Sequence, residues 1–309
     1  MIYLDDHQIT DLLEDKESDI INEMEHVFVD FVSGRAKMIP KIYLTNDKGD
    51  FRAMPAQWED ISGVKWISVY PDNPKLNIPT IHGTLLLSDT LTGQPIISMD
   101  CAKLTSYRTA AVSALAAKHL TINNTVRTLT FIGCGYQAKL HAKMYAATFP
   151  NIDTIKLYDR NRDNAYKFSQ WLISKSIGNA WKVTNDIRTA CSNTDVITTL
   201  TPTTEPFLGQ SHIEQPFHIN AVGADAVGKR ELESSIWMNS VLIVDDYEQA
   251  SHSGEAQYVT KLPYIQLGDI ITGKCPKPMG KTTIFDSTGL AIEDIAIGRL
   301  IYEEYSKGN

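Results

Sequence analysis

One short segment, Thr130-Phe131-Ile132-Gly133-Cys134-Gly135-Tyr136-Gln137-Ala138, limits what this chain can fold into more than any other. It reads G-x-G-x-x-A between a strand-like run at 129–132 and a helix-like run at 137–148. Each small residue has a physical task. Gly133 permits a tight turn, Gly135 lets the backbone approach a pyrophosphate, and Ala138 lets helix and strand touch. The helix start offers N–H groups and a positive dipole end to phosphates. A G-x-G-x-x-A alone is a weak signal, and a bare glycine turn is its plain alternative. Here a second strand-like run, 155–158, ends at Asp159. A carboxylate in that place accepts hydrogen bonds from an adenosine ribose, which favours NAD. Arg160 follows it and suits a 2′-phosphate, so NADP stays open.

The rhythm of the chain changes near residue 120. Before it, Asp6 is the expected N-cap of a short helix reaching Leu13, and 20–31 has apolar residues at helical spacing. Apolar runs at 41–44, 64–70, 80–87 and 95–99 follow, punctuated by turn residues, and predict an antiparallel sheet. The Ala-rich stretch 104–120 predicts one long helix. Beyond it, strand-like runs at 129–132, 155–158, 196–200, 219–222, 241–244 and 283–285 alternate with helical stretches, which implies a parallel sheet covered by helices. The stretch 291–305 reads as a last helix.

Composition excludes several functions. The formal net charge of −8 argues against nucleic acid as the main partner, because neutralising phosphates needs a basic face. No apolar run approaches the ~20 residues that cross a bilayer. The acidic start lacks the features of a signal peptide, and four scattered cysteines suit a reducing cytoplasm. No C-x-x-C or H-E-x-x-H occurs and the eight histidines have no metal-ligand spacing, so no metal is expected.

Five ordered segments resemble the ornithine cyclodeaminase/mu-crystallin family. They are the glycine loop itself; Ile39-Pro40-Lys41-Ile42-Tyr43-Leu44 leading to Phe51-Arg52-Ala53-Met54-Pro55-Ala56; Gly63-Val64-Lys65-Trp66 running through Pro71-Asp72-Asn73-Pro74 to Pro79-Thr80; Leu104-Thr105-Ser106-Tyr107-Arg108-Thr109-Ala110-Ala111; and Asn220-Ala221-Val222-Gly223-Ala224-Asp225 continuing to Gly228-Lys229-Arg230-Glu231-Leu232. One departure is Val227, where many relatives carry proline. The resemblance implies an α/β fold: a Rossmann, doubly wound parallel sheet at 121–289 that binds a dinucleotide, plus a discontinuous α+β substrate and dimerisation domain at 1–120 with 290–309. It also implies a homodimer. The Arg52-Ala53-Met54-Pro55-Ala56 segment is similar to the alanine dehydrogenase and imine reductase members.

An amino or imino acid needs a cationic seat for its carboxylate, and arginine binds two oxygens at once. Arg52, Arg108, Lys41 and Lys65 are the candidates. A lone lysine beside a strand is more often a solvated charge; the resemblance puts Lys41, Lys65 and Arg108 at carboxylate-contacting positions and Arg52 at the substrate position. Asp225, in a Gly-flanked turn after a strand, is the expected acid/base, with an Asx-type turn as its plain alternative. Lys65 is also expected to polarise the imine or hold a water. Cofactor contacts are expected at Gly133, Gly135, Tyr136, Gln137, Ala138, Asp159 and Arg160, and by resemblance at Thr80, Val222 and Lys229. The reading is an NAD(P)-dependent oxidoreductase that interconverts an amino acid and its 2-imino or 2-oxo acid. The alternatives are a lyase of the ornithine cyclodeaminase type, and a mu-crystallin-like binder of cofactor and a small ligand.

Overall fold

A computed structural model describes residues 2–121, 125–213, 217–259 and 263–308. The chain divides into two units, Met1–Thr109 with Leu290–Asn309, and Ala110–Gly289. In chain order the elements are β1 (Ile2–Leu4), α1 (Asp6–Leu13), α2 (Glu17–Val32), β2 (Lys37–Met38), β3 (Ile42–Asn46), β4 (Gly49–Trp58), β5 (Ile61–Val69), β6 (Ile81–Asp89), β7 (Pro95–Asp100) and α3 (Ala102–Leu120). There follow β8 (Thr128–Ile132), α4 (Tyr136–Thr148), β9 (Thr154–Tyr158), α5 (Arg162–Ser174), β10 (Ala180–Val183), α6 (Ile187–Cys191), β11 (Val196–Thr199), β12 (His218–Ala221), β13 (Ser240–Val244), α7 (Tyr247–Ala250), β14 (Tyr264–Gln266), α8 (Leu267–Ile271), β15 (Thr282–Asp286) and α9 (Ala291–Lys307).

The first unit is built on a sheet of order β1-β7-β6-β5-β4-β2, with β3 on β4. Its hairpins are antiparallel as expected, but β1 pairs with β7 in parallel, so the sheet is mixed. The inner face carries Met54, Ala56, Trp58, Ile61, Ile67, Leu85 and Leu87, all buried. Helices α2 and α9 pack with each other, and α9 lies on β4, β5 and β6. The approach is close. A Cβ on Gly63 would stand 2.8 Å from Ile295 Cδ1 of α9, and one on Gly298 of α9 would stand 2.6 Å from Leu85 Cδ2 of the sheet. Strand β4 was not legible as an apolar run because Arg52 and Pro55 interrupt it, although its alternate residues are buried. Asp5, not Asp6, caps α1: its carboxylate accepts from His7 and Gln8 N–H, and the Gln8 side chain returns a bond to the Asp5 amide.

The second unit is a fully parallel sheet of order β10-β9-β8-β11-β12-β15-β13-β14. The chain runs outward from β8 through β9 to β10, then returns to the other side of β8 at β11. The strand order therefore reverses between β8 and β11, and ligands of such sheets bind beyond the carboxyl ends of those strands. This is the expected α/β, Rossmann-type doubly wound arrangement. The division of the chain falls inside α3, between Thr109 and Ala110, rather than after Leu120. The later part of α3 bonds to second-unit elements: the Ser113 carbonyl accepts from Asn220 Nδ2 on β12, and its hydroxyl meets His141 Nε2 on α4.

These bonds belong to a buried polar network. His218 contacts Thr283 Oγ1 and Asn220 Oδ1, and Tyr145 OH joins Asn220 to Thr198. Burial holds His141 and His218 down at about 4, below the ordinary 6.5. The unfolded chain therefore binds protons below pH 6.5 that the folded chain refuses, and stability falls as pH drops from 6.5 to about 4. Each histidine contributes a loss on the order of 3 kcal/mol across that window. Burial pushes the Glu255 carboxyl up to about 7, which acts in the opposite sense. Denaturant unfolding of wild type and His141→Gln at pH 7 and 4.5 isolates the histidine: the variant's loss between the two pH values is smaller. An equal loss in both would contradict this.

Candidate functional site

In the second unit, the glycine loop leaves the end of β8 under constraints that only its residue types meet. Gly133 has φ +97°, and a Cβ there would stand 2.8 Å from the Leu200 carbonyl oxygen, just past β11. Its N–H donates to the Tyr158 carbonyl. Gly135 is the N-cap of α4 and offers no side chain to its first turn. A Cβ on Gly135 would meet nothing within 4 Å, so the space before this helix is open to a ligand. Ala138 is fully buried, Gln137 Oε1 is buried with no hydrogen-bond partner, and the Tyr136 side chain is exposed. Asp159 follows β9, and its Oδ2 accepts from the Cys134 N–H at 2.8 Å, which ties the acid to the loop. Oδ1 accepts from the Asn161 N–H. Arg160 is exposed beside it. An uncapped helix start, an open glycine and a fixed carboxylate suit the diphosphate and ribose of a dinucleotide.

Further along the same edge, Glu231 joins the loops after β11 and β12. It is fully buried and accepts from Thr199 Oγ1, Thr201 N–H, Thr201 Oγ1 and Gly223 N–H at 2.6 to 2.9 Å. Burial raises its carboxyl above the usual range even so. Glu255 in turn accepts from the Glu231 and Leu232 N–H groups, and Asp286 accepts from those of Glu255 and Ala256. Buried carboxylates thus brace the strand ends. From this braced segment, Val222 donates its N–H to the Thr199 carbonyl, and Asp225 is half-exposed. Lys229 Nζ lies 2.6 Å from Asp225 Oδ1, so this pair forms within the loop.

In the first unit, Lys65 on β5 and Arg108 on α3 meet. Lys65 is 1% exposed and Arg108 5%. Lys65 Nζ lies 2.7 Å from Asp294 Oδ1 and 3.3 Å from Thr105 Oγ1. Arg108 Nε donates to the same Asp294 oxygen at 3.1 Å, and its Nη1 donates to Glu293 Oε2 at 2.9 Å. Two cations and two acids are therefore enclosed together. Burial pulls the Lys65 ammonium below its ordinary range, and Asp294 opposes that. Arg52 shares the inner sheet face: it stands opposite Ile67, diagonal to Lys65. Its guanidinium pairs with Asp50, Nε to Oδ1 at 2.6 Å, and lies over the Tyr43 ring. Lys41 is half-buried just before β3, and the Thr80 carbonyl accepts from the Tyr70 N–H. Lys65 and Arg108 are thus brought together, while Arg52 is held in an ion pair of its own.

The ornithine cyclodeaminase/mu-crystallin family model matches residues 6–309. The chain belongs to this family. It is 36% identical over 292 residues to an alanine dehydrogenase of Archaeoglobus fulgidus, covering 92% of this chain and 89% of that protein. An archaeal alanine dehydrogenase dimer with bound NAD superposes with a TM-score of 0.93 at 35% identity, covering 100% of this chain and 97% of that one. The Δ1-pyrroline-2-carboxylate reductase of Thermococcus litoralis, solved with NADH and L-proline, superposes with a TM-score of 0.91 at 28% identity, covering 100% and 98%. Among the described residues, no helix is long and apolar enough to cross a membrane.

The cations are legible in the sequence, whereas their acids, Glu293 and Asp294, lie in a distant helix. Glu293 and Asp294 follow Ile292 and precede Ile295 and Ala296, the face on which α9 packs, and charges on a buried face require partners. That was a usable signal. Glu231 lay inside a quoted motif without a role. Asp50 carried no mark, since exposed turns are full of such residues.

The two glycines make opposite predictions. Gly133→Ala meets both a positive φ and the Leu200 carbonyl, so it lowers the melting temperature and abolishes cofactor binding. Gly135→Ala meets nothing in the protein, so the melting temperature holds while NADH binding weakens at least tenfold. Thermal melts with a fluorescence titration of NADH check both; an unchanged NADH affinity in Gly135→Ala contradicts the assignment of the loop.

Proposed function

We propose that this protein is an NAD-dependent oxidoreductase that interconverts an amino acid and its 2-imino or 2-oxo acid. The observation that carries this reading is the buried Lys65–Arg108 pair, in a chain whose second unit presents a dinucleotide loop. Two adjacent enclosed cations fit a carboxylate, which the guanidinium accepts through its fork and the ammonium as a point charge. The named relatives, an alanine dehydrogenase and a pyrroline-2-carboxylate reductase, support the same chemistry.

In this reading Gly133, Gly135 and the α4 start hold the diphosphate, Tyr136, Gln137 and Ala138 form the helix start, and Asp159 holds the ribose. Arg160, Thr80 and Val222 are further cofactor contacts. When bound, the nicotinamide supplies or accepts a hydride. Lys65 and Arg108 fix the carboxylate, with Arg52 and Lys41 as the outer cations. Asp225 takes or returns the proton on the substrate nitrogen, with Lys229, a further cofactor contact in this reading, beside it in the same loop. Positioning by these fixed charges is the protein's share of the catalysis. The division of labour is a dinucleotide-binding second unit and a substrate-binding first unit. The four cysteines are free thiols, in keeping with a cytoplasmic enzyme.

The partner in this reading is a second copy of the chain. The outer sheet face of the first unit carries exposed Ile42, Leu44 and Trp66, with Phe51 stacked on Trp66 at 5.4 Å. Contiguous apolar surface of this kind marks an interface, and one structural relative is a dimer. Leu44→Asp with Trp66→Asp gives a monomer in sedimentation velocity; an unchanged species contradicts the assignment.

Activity is tested by following NADH and NADPH absorbance with pyruvate plus ammonia, pyrroline-2-carboxylate and piperideine-2-carboxylate, with ornithine plus NAD alongside. Loss of NADH with an imine or oxo acid is expected, reduced at least a hundredfold in Lys65→Ala and Asp225→Ala. Ammonia and proline from ornithine, with no net NADH change, would identify a lyase instead. Cofactor-dependent ligand binding without turnover would identify a binder.

A further inference from the structure

The two cations assigned to the substrate carboxylate share a single oxygen. Asp294 Oδ1 is 2.7 Å from Lys65 Nζ and 3.1 Å from Arg108 Nε. Asp294 is fully buried, and its other oxygen, Oδ2, is buried with no hydrogen-bond partner. A carboxylate that only anchored α9 would gain by spending both oxygens. This one concentrates two cations on one oxygen, which holds the ammonium and the guanidinium side by side.

We propose that Asp294 is a positioning residue for the reaction: it holds Lys65 protonated and aligned with Arg108, so that the two present one seat to the carboxylate of the substrate. The proposal rests on the function above. The surroundings of Lys65 make the need plain. The strands on either side place Met54 and Leu85 opposite it, neither of them charged. Arg52 is diagonal to it on β4, Arg108 faces it from α3, and the Cys101 thiol lies close by. Burial and Arg108 both disfavour its charge. Glu293 bonds to Arg108, and the hydroxyl of Thr105 carries no charge. The carboxylate that favours the ammonium directly is Asp294. Removing an opposite charge at this distance moves a titration by about one to three pH units.

The test is equilibrium binding of the amino acid product to the NADH-loaded protein, an unreactive pairing, by calorimetry between pH 6 and 8.5. It is run with kcat/KM on the substrate that wild type turns over. Asp294→Asn is isosteric and keeps an acceptor for Lys65. In this variant, weakening on the alkaline side sets in at lower pH than in wild type. Affinity is down about tenfold at pH 8.5 and returns to within about threefold of wild type at pH 6. Glu293→Gln is the comparison. Its partner is an arginine, which does not titrate in this range, so it weakens binding by one factor at every pH. Asp294→Ser asks the same question if the asparagine variant does not fold. A loss in Asp294→Asn that is constant across pH, or no loss, overturns the proposal while leaving the function standing. Absence of turnover and of carboxylate binding in wild type overturns the function, and this proposal with it.

Discussion

Asp294 Oδ1 gathers the Lys65 ammonium and the Arg108 guanidinium, and Glu293 takes the far side of the arginine. The form of the first unit follows from the need to keep these groups together. Each is at most 5% exposed, and a buried charge that loses its partner costs on the order of 3–5 kcal/mol. Their contributors come from β5, α3 and α9, elements far apart in sequence. The arrangement therefore explains why residues 290–309 belong with the N-terminal part of the chain rather than with the unit they follow. On the same α9 packing face, Gly63 and Gly298 let helix and sheet approach closely: a Cβ at either would stand under 3 Å from an Ile295 or Leu85 methyl group. A hydrophobic cluster of similar volume would be as stable or more so.

The second unit solves the complementary problem. A parallel sheet whose order reverses between β8 and β11 leaves a crevice at the strand ends. The loops there carry backbone groups that need satisfying. Buried carboxylates do this: Glu231 binds the loops after β11 and β12, Glu255 binds the backbone at Glu231, and Asp286 binds the backbone at Glu255. Asp245 does the same for Thr288 and Gly289 beyond β15. The Gly223–Asp225 segment, which carries the proposed acid/base, is tied to Glu231 through the Gly223 N–H and half-exposed at Asp225.

Much of this was legible in residue order. The loop at Gly133, Gly135 and Ala138, the strand ending at Asp159, and the change of rhythm near residue 120 all follow from local chemistry: turn sterics, helix starts and apolar periodicity. What was hidden is long-range. Nothing near Lys65 announces an acid 229 positions away, and nothing near Arg108 announces Glu293. β10 and β14 are short edge strands with weak patterns of their own. β4 was masked by Arg52, a charge on an inward-facing position whose partner is Asp50, so local polarity concealed a strand whose alternate residues are buried. Asp5 displaced Asp6 as a cap through reciprocal bonds with Gln8, a choice of one residue that propensity cannot make.

The proposed reaction is hydride transfer at the α-carbon of an amino or imino acid. The most direct test is mass spectrometry of the product formed from an imine or oxo acid with NADH deuterated at the transferring position of its nicotinamide. The expected product is an amino acid that carries the deuterium at its α-carbon, with one oxidised cofactor released per product. A product without label, or one formed while the cofactor pool keeps its deuterium and its oxidation state, would contradict it.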